Sequence, residues 1–275
     1  MVEVAKRLTT GDPIETVNNL TNFTLVSRSA RDAAQAAPVR AFQARLNRLG
    51  AAAQALYGAA RRDNRPQPGP PDEEVRREAT RAHAYAPILK FQSAARKSAT
   101  VDHIVHLSHA ANNCAAIRAI VENIGDLDRL DRRRLIDQAI DIFERPSPQL
   151  DFIQKQRATE TLILAHNHLD TDQKARIYDA LVDCPERADL LADIRYRMTV
   201  LQSASRSKDA AEQQGSDLDS SIDAIAHRAY AAVNRNINRE FAIREAGKAL
   251  SDAYNRARSE LMTSVGSRGR TIVGR

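Results

Sequence analysis

Tryptophan is absent from this 275-residue chain, and aromatic residues make up only 4% of it. Any core must therefore be built from aliphatic side chains and alanine, a strong helix former that lets helix axes approach closely. Cysteine is also scarce. Cys114 and Cys184 stand alone and far apart, which excludes a disulfide-stapled scaffold and points to a reducing compartment or indifference to redox. Of the ten glycines, none forms a Gly-x-Gly or Gly-Lys-Ser/Thr pattern, so no phosphate-cradling loop is legible. No run approaches the eighteen or so apolar residues of a membrane-spanning helix. Met1 to Thr10 has two cations and no apolar core, unlike a Sec-type signal peptide. No segment alternates apolar and polar residues between turn signals, so no sheet is expected.

What the chain does have is charge, alanine and helical periodicity. Charged residues make up 28% of it, and the net charge is +6. The charge is uneven, with basic ends and an acidic stretch over residues 126–186. Arginine outnumbers lysine 34 to 7. That imbalance reads as the base composition of a GC-rich genome rather than as a phosphate-binding design, although arginine would make the better phosphate fork.

Start and stop signals divide the chain into helices. Asp12, Pro13 and Glu15 read as an N-cap, a first-turn proline and the far side of a capping box. The helix they open is expected to run to about Ala36, with an Asn- and Thr-rich stretch, Asn18 to Thr24, that favours fraying. Val39, Phe42, Leu46, Leu49, Ala53, Leu56 and Ala60 recur at threes and fours, the mark of one buried stripe. Prolines and a glycine crowd the residues from Asp63 to Pro71, which exclude a helix or a central strand. Acids from Asp72 to Glu74 open the next helix, which Pro87 kinks or divides. A further helix is expected from Val101 to Ile124, capped by Ser98 or Thr100 and stopped at Gly125. Asp128 or Asp131 caps another, which Pro146 ends. Ser147-Pro148 opens the next, and Asp170 or Thr171 the one after. Cys184-Pro185 joins that one to a helix through Leu201. The last helices are expected over Ile222 to Val233 and Asn236 to Val265.

The resulting fold class is all-α, either an irregular antiparallel bundle or a short stack of helix pairs of the HEAT or armadillo type. The stack is suggested by residues 130–143 and 169–184, which align at an offset of 41. The expected organisation is an N-terminal helical segment (1–65), a Pro-rich linker (66–71) and a central helical core (72–204). A polar loop (205–221), a C-terminal helical hairpin (222–265) and a disordered tail (266–275) follow.

Few residues suggest chemistry. His103, His106 and His109 recur every third residue after Asp102, but no Glu-x-x-His or His-Glu-x-x-His pattern supplies further metal ligands. Helical register carries His103 and His106 onto the stripe later used by Ile117, Val121 and Ile124, as partly buried histidines. His166-Asn167-His168 closes a helix and serves its dipole and cap. Cys184 sits at a helix junction where a thiol can be activated, whereas Cys114 reads as a small core residue. Arg132, Arg133 and Arg134 lie among acids and read as a solvated face. Ile243, Ala246, Leu250, Ala253 and Ala257 form a short seam that ends at Glu260. No catalytic residue is assigned, and no cofactor or metal is expected.

Three functions remain. The first is a helical protein–protein interaction module, a scaffold or adaptor with a protein partner. It is cytoplasmic, or a bacterial effector exported by a non-Sec route into a host cell. The second is an enzyme whose site assembles from distant helices, with Cys184, His103, His106 and Tyr178 as the residues to watch. The third is a nucleic-acid-binding protein using basic ends that include Arg268, Arg270 and Arg275. No helix-turn-helix or stacking aromatics support it.

Overall fold

A computed structural model describes residues 2–61, 71–111, 114–145, 152–182 and 239–264, with 192 and 196 as isolated positions. Among these residues there are eleven α-helices, three 3-10 turns and no strand, so the fold is all-α. Apart from 192 and 196, the expected helices over 185–201 and 222–233 lie outside the described residues. So do residues 66–70 of the expected 66–71 linker, the polar loop and the tail, whereas Pro71 is already the first residue of a helix. The chain divides into two compact units. The first gathers residues 1–64, 87–93 and 216–275, and the second gathers 65–86 and 94–215.

In the first unit, α1 (Val2–Arg7), α2 (Pro13–Val26) and α3 (Arg28–Ala34) precede the long helix α4 (Ala37–Arg61). The single helix expected from Asp12 to Ala36 is two helices. Ser27 leaves helical geometry (φ −162°, ψ 168°), and its hydroxyl accepts from the Ala30 N–H at 3.1 Å, capping α3. An N-cap serine in mid-sequence is enough to reset the helix. Rather than fraying, residues 2–34 are largely helical. The stripe of α4 is buried as its spacing predicts, from Val39 to Ala60.

This stripe packs against α11 (Arg239–Thr263). The small-and-large seam from Ile243 to Ala257 is fully buried, and Glu260, where it ends, pairs with Arg45 of α4 at 2.6 Å. Residues 87–93 complete the core. Pro87 does divide a helix, but the divided chain becomes a 3-10 turn, Ala86–Phe91, whose Ile88, Leu89 and Phe91 are at most 1% exposed. Gly247 makes room for it. A Cβ there would lie 2.9 Å from Ile88 Cγ2 and 3.2 Å from Pro87 Cβ.

In the second unit, α5 (Pro71–Tyr85) packs on α6 (Ala94–Ala111) and α7 (Ala115–Val121). There, α8 (Arg129–Glu144) packs on α6, α9 (Phe152–Leu164) and α10 (Thr171–Val182). The helix expected from Val101 to Ile124 therefore starts seven residues earlier and is interrupted, resuming after Cys114 (φ −100°, ψ 12°). Ser98 and Thr100 lie inside α6 instead of capping it. Thr100 donates to the Arg96 carbonyl and Ser98 to Asp131. Of the paired alternatives for capping, Asp128 caps α8, accepting from the Asp131 N–H at 2.8 Å. Asp170 caps α10 through a reciprocal box. Its carboxylate accepts from the Gln173 N–H at 2.9 Å, and the Gln173 side chain accepts from the Asp170 N–H at 3.1 Å.

Candidate interaction face

The second helix is held from below by a closed hydrogen-bond circuit. The Thr10 N–H donates to Thr16 Oγ1 at 2.9 Å. Thr16 in turn meets the Tyr254 hydroxyl at 2.9 Å, and that hydroxyl donates to the Thr10 carbonyl at 2.7 Å. Thr16 and Tyr254 are both fully buried, where a paired hydroxyl is stabilising and an orphaned one costly. Asp12 fixes the N-terminus of the helix, accepting from the N–H groups of Ile14 (2.7 Å) and Glu15 (3.1 Å). Its own N–H donates to Thr10 Oγ1 at 3.1 Å, the donor that Glu15 would satisfy in a capping box. Leu20 and Phe23 bury the inner face. Lys6 of α1, 2% exposed, adds a second tie by donating to the Met262 carbonyl in the last turn of α11 at 3.1 Å, where a cation suits the dipole.

With that inner face committed, α2 turns Val17, Asn18, Thr21, Asn22, Leu25 and Val26 outward. Leu25 is 74% and Val26 75% exposed. From Thr16 to Ser27 there is no charged residue, in a chain that is 28% charged. A solvated helix face ordinarily carries charge. Loss of charge combined with exposed aliphatics is instead the composition of an interface core. In sequence, charge returns only at Asp12 and Glu15 before this stretch and at Arg28, Arg31 and Asp32 of α3 after the break at Ser27.

The residues singled out by sequence are placed differently. His103 and His106 are exposed, and the break before Ala115 disconnects them from the Ile117 stripe. The side chain of His109 and all of Cys184 lie outside the described residues, as do Arg268, Arg270 and Arg275. Instead of meeting His106, His103 Nε2 stands 3.7 Å from the Glu78 carboxylate, which also accepts from the Tyr85 hydroxyl at 3.0 Å. Burial alone pushes the Glu78 carboxyl up. His103, Tyr85 and Arg81 outweigh that and hold it below the ordinary value.

The three arginines are largely neutralised. Arg134 pairs with Asp102 and, at 3.5 Å, with Asp131, while Arg133 pairs with Asp137 at 3.6 Å. Arg132 lies 3.2 Å from His168 Nδ1. Burial, then Arg132 and His166, lower the pKa of His168. Asp131, an alternative cap and one of the acids around the three arginines in the sequence, is a buried carboxylate. It accepts from Ser98 at 3.1 Å, and burial, then Asp128, push its pKa up. Tyr178 is 64% exposed. Among the described residues, no three His, Cys, Asp or Glu converge as a metal shell, and no helix is long and apolar enough to cross a membrane.

Cys114 is the inert thiol its sequence context suggests. It is fully buried beside Thr161 Oγ1 (3.9 Å), and burial raises its pKa to about 12. Because the thiolate is the nucleophile, Cys114 is expected to resist alkylation at neutral pH in the native protein and to react fully in denaturant. Peptide mapping after iodoacetamide treatment checks this, and rapid native labelling of Cys114 would contradict its burial.

No family model matches the chain, and no solved structure matches it. A stretch of 61 residues is 41% identical to Virulence protein F of Agrobacterium tumefaciens (strain 15955), covering 22% of this chain and 30% of that protein. The matched part is thus under a third of the relative's length.

Proposed function

We propose that this chain is a helical protein-interaction module that docks a partner protein on the outward face of α2, and that it serves a bacterium in its action on another cell. The observation that carries the docking reading is the pair Leu25 and Val26, about three-quarters exposed at the end of an uncharged helix face. Exposed aliphatics on a rigid, capped helix offer desolvation energy to a partner. The bacterial setting rests on the partial similarity to Virulence protein F.

Leu25→Asp/Val26→Asp tests the first part. Both side chains are exposed, so stability should move by no more than about 0.5 kcal/mol per site. A partner recovered near stoichiometry on the wild-type chain, from bacterial or host lysate, should be lost on the variant. With that partner purified, the variant should bind on the order of thirtyfold more weakly, the scale of a hot spot worth about 2 kcal/mol. Equal binding by both chains defeats the reading.

A further inference from the structure

We propose that α10 is a detachable strap, docked on α8 by a polar seam and released by ionic screening while α8 and α9 stay folded. The proposal concerns the second unit and stands apart from the α2 face. Its first ground is how little α10 buries. Of the twelve residues from Thr171 to Val182, only Gln173 is buried. Ile177, Ala180, Leu181 and Val182 are half-buried, and Tyr178 is 64% exposed. By contrast, α8 buries Leu135, Ile136, Ala139, Ile140, Ile142 and Phe143, and α9 buries Ala158, Leu162 and Ile163. Apolar burial is the main force tying a helix to its core, and α10 has less of it than either neighbour.

A row of polar contacts holds it instead. Arg133 of α8 lies 4.0 Å from the carboxylate of Asp170, the α10 cap. Gln173 Nε2 donates to Asp137 Oδ1 at 2.7 Å. Arg176 Nε donates to Glu144 Oε1 at 2.9 Å, and its Nη2 donates to Asp141 Oδ1 at 2.8 Å and to Glu144 Oε2 at 2.5 Å. Residue numbers rise together across these pairs, so α8 and α10 run in the same direction and the seam follows both. The two-point grip of Arg176 on Glu144 is the strong form of an ion pair. Yet the side chain of Arg176 is 38% exposed, that of Asp141 48% and that of Glu144 34%. Pairs open to solvent contribute little and weaken further as salt rises. An element held mainly in this way opens locally, well below the free energy of global unfolding. A freed helix of this length is marginal in water, so release appears as lost amide protection.

The test is amide hydrogen exchange of the full chain in about 0.01 M and about 1 M NaCl, between which the screening length shrinks from about 30 Å to about 3 Å. In the wild type, α10 amides are expected to be protected at low salt and to exchange on the order of tenfold faster at high salt. The amides of α8 and α9 serve as the internal reference and should hold their protection. Arg176→Ala should leave α10 fast-exchanging at both salts, again with α8 and α9 protected. The charge swap Arg176→Glu/Asp141→Arg/Glu144→Arg should return protection to α10 at low salt and its loss at high salt, which a merely disruptive variant cannot do. The inference is overturned if wild-type α10 is unprotected even at low salt, or if it exchanges in step with α8 at both salts. It is equally overturned if Arg176→Ala leaves α10 unchanged or loosens α8 and α9 as much as α10, or if the charge swap restores nothing.

Discussion

Phe91→Ala is expected to destabilise the first unit by about 3–5 kcal/mol, a large share of the 5–15 kcal/mol that holds a typical domain together. Phe91 is 1% exposed. Its ring stands edge-on to Tyr254, with centroids 6.2 Å apart and planes at 80°, the arrangement that the ring quadrupoles favour. Tyr254 in turn holds Thr10 and Thr16, so the cavity left by the phenyl ring opens beneath the circuit that seats α2. Truncation therefore reaches the candidate face without touching it. Amide hydrogen exchange separates the units. Protection should fall in α2, α4 and α11 and persist in α7 to α9. Stability within about 1 kcal/mol of wild type would mean that residues 87–93 add little to that core.

Residues 87–93 also show where sequence legibility ended. The stripes of α4 and α11 were readable because long helices repeat their buried positions many times. A six-residue 3-10 turn repeats nothing. Pro87 was legible as a break, yet Ile88, Leu89 and Phe91 around it were the available sign that the break is buried. Helix α1 was missed for a different reason. Its buried Lys6 is satisfied by a carbonyl 256 residues away, a partner that no local pattern reveals. The interruption at Cys114 was masked because apolar residues continue on both sides of it, although Asn112-Asn113 offered a breaker signal.

The candidate face was legible in part. Asn and Thr between Asn18 and Thr24 read as a tendency to fray, since such side chains compete with the backbone for hydrogen bonds. In the fold the same composition is an uncharged outer surface on a helix pinned at Asp12, Thr16 and Phe23. Distinguishing the two required knowing that Thr16 is buried against Tyr254. His103 was singled out for its spacing from His106, whereas its neighbour in space is Glu78, on a helix that sequence spacing could not bring beside it.

That Glu78 carboxylate yields the second large effect. Glu78→Gln is expected to destabilise the second unit by about 1–3 kcal/mol at neutral pH, as loss of a charged hydrogen-bond acceptor does. Glutamine keeps the shape and can still accept from Tyr85, but it removes the charge that His103 and Arg81 face at 3.7 and 3.4 Å. The Glu78 side chain is only 10% exposed and that of Arg81 22%, so solvent screens that pair weakly. The pH dependence has a definite sign. The native carboxyl is held below its ordinary value of 4.5, so the unfolded chain binds the proton more readily than the native one. The stabilisation is therefore complete above that value and is lost as pH falls through the lowered native one. The stability gap between wild type and Glu78→Gln should open as pH rises from about 3 to about 6, while the carboxylate ionises. Exchange of the α5 and α6 amides across that range reads it locally. A gap that is constant with pH would show that the charge of Glu78 contributes nothing and that only its shape matters.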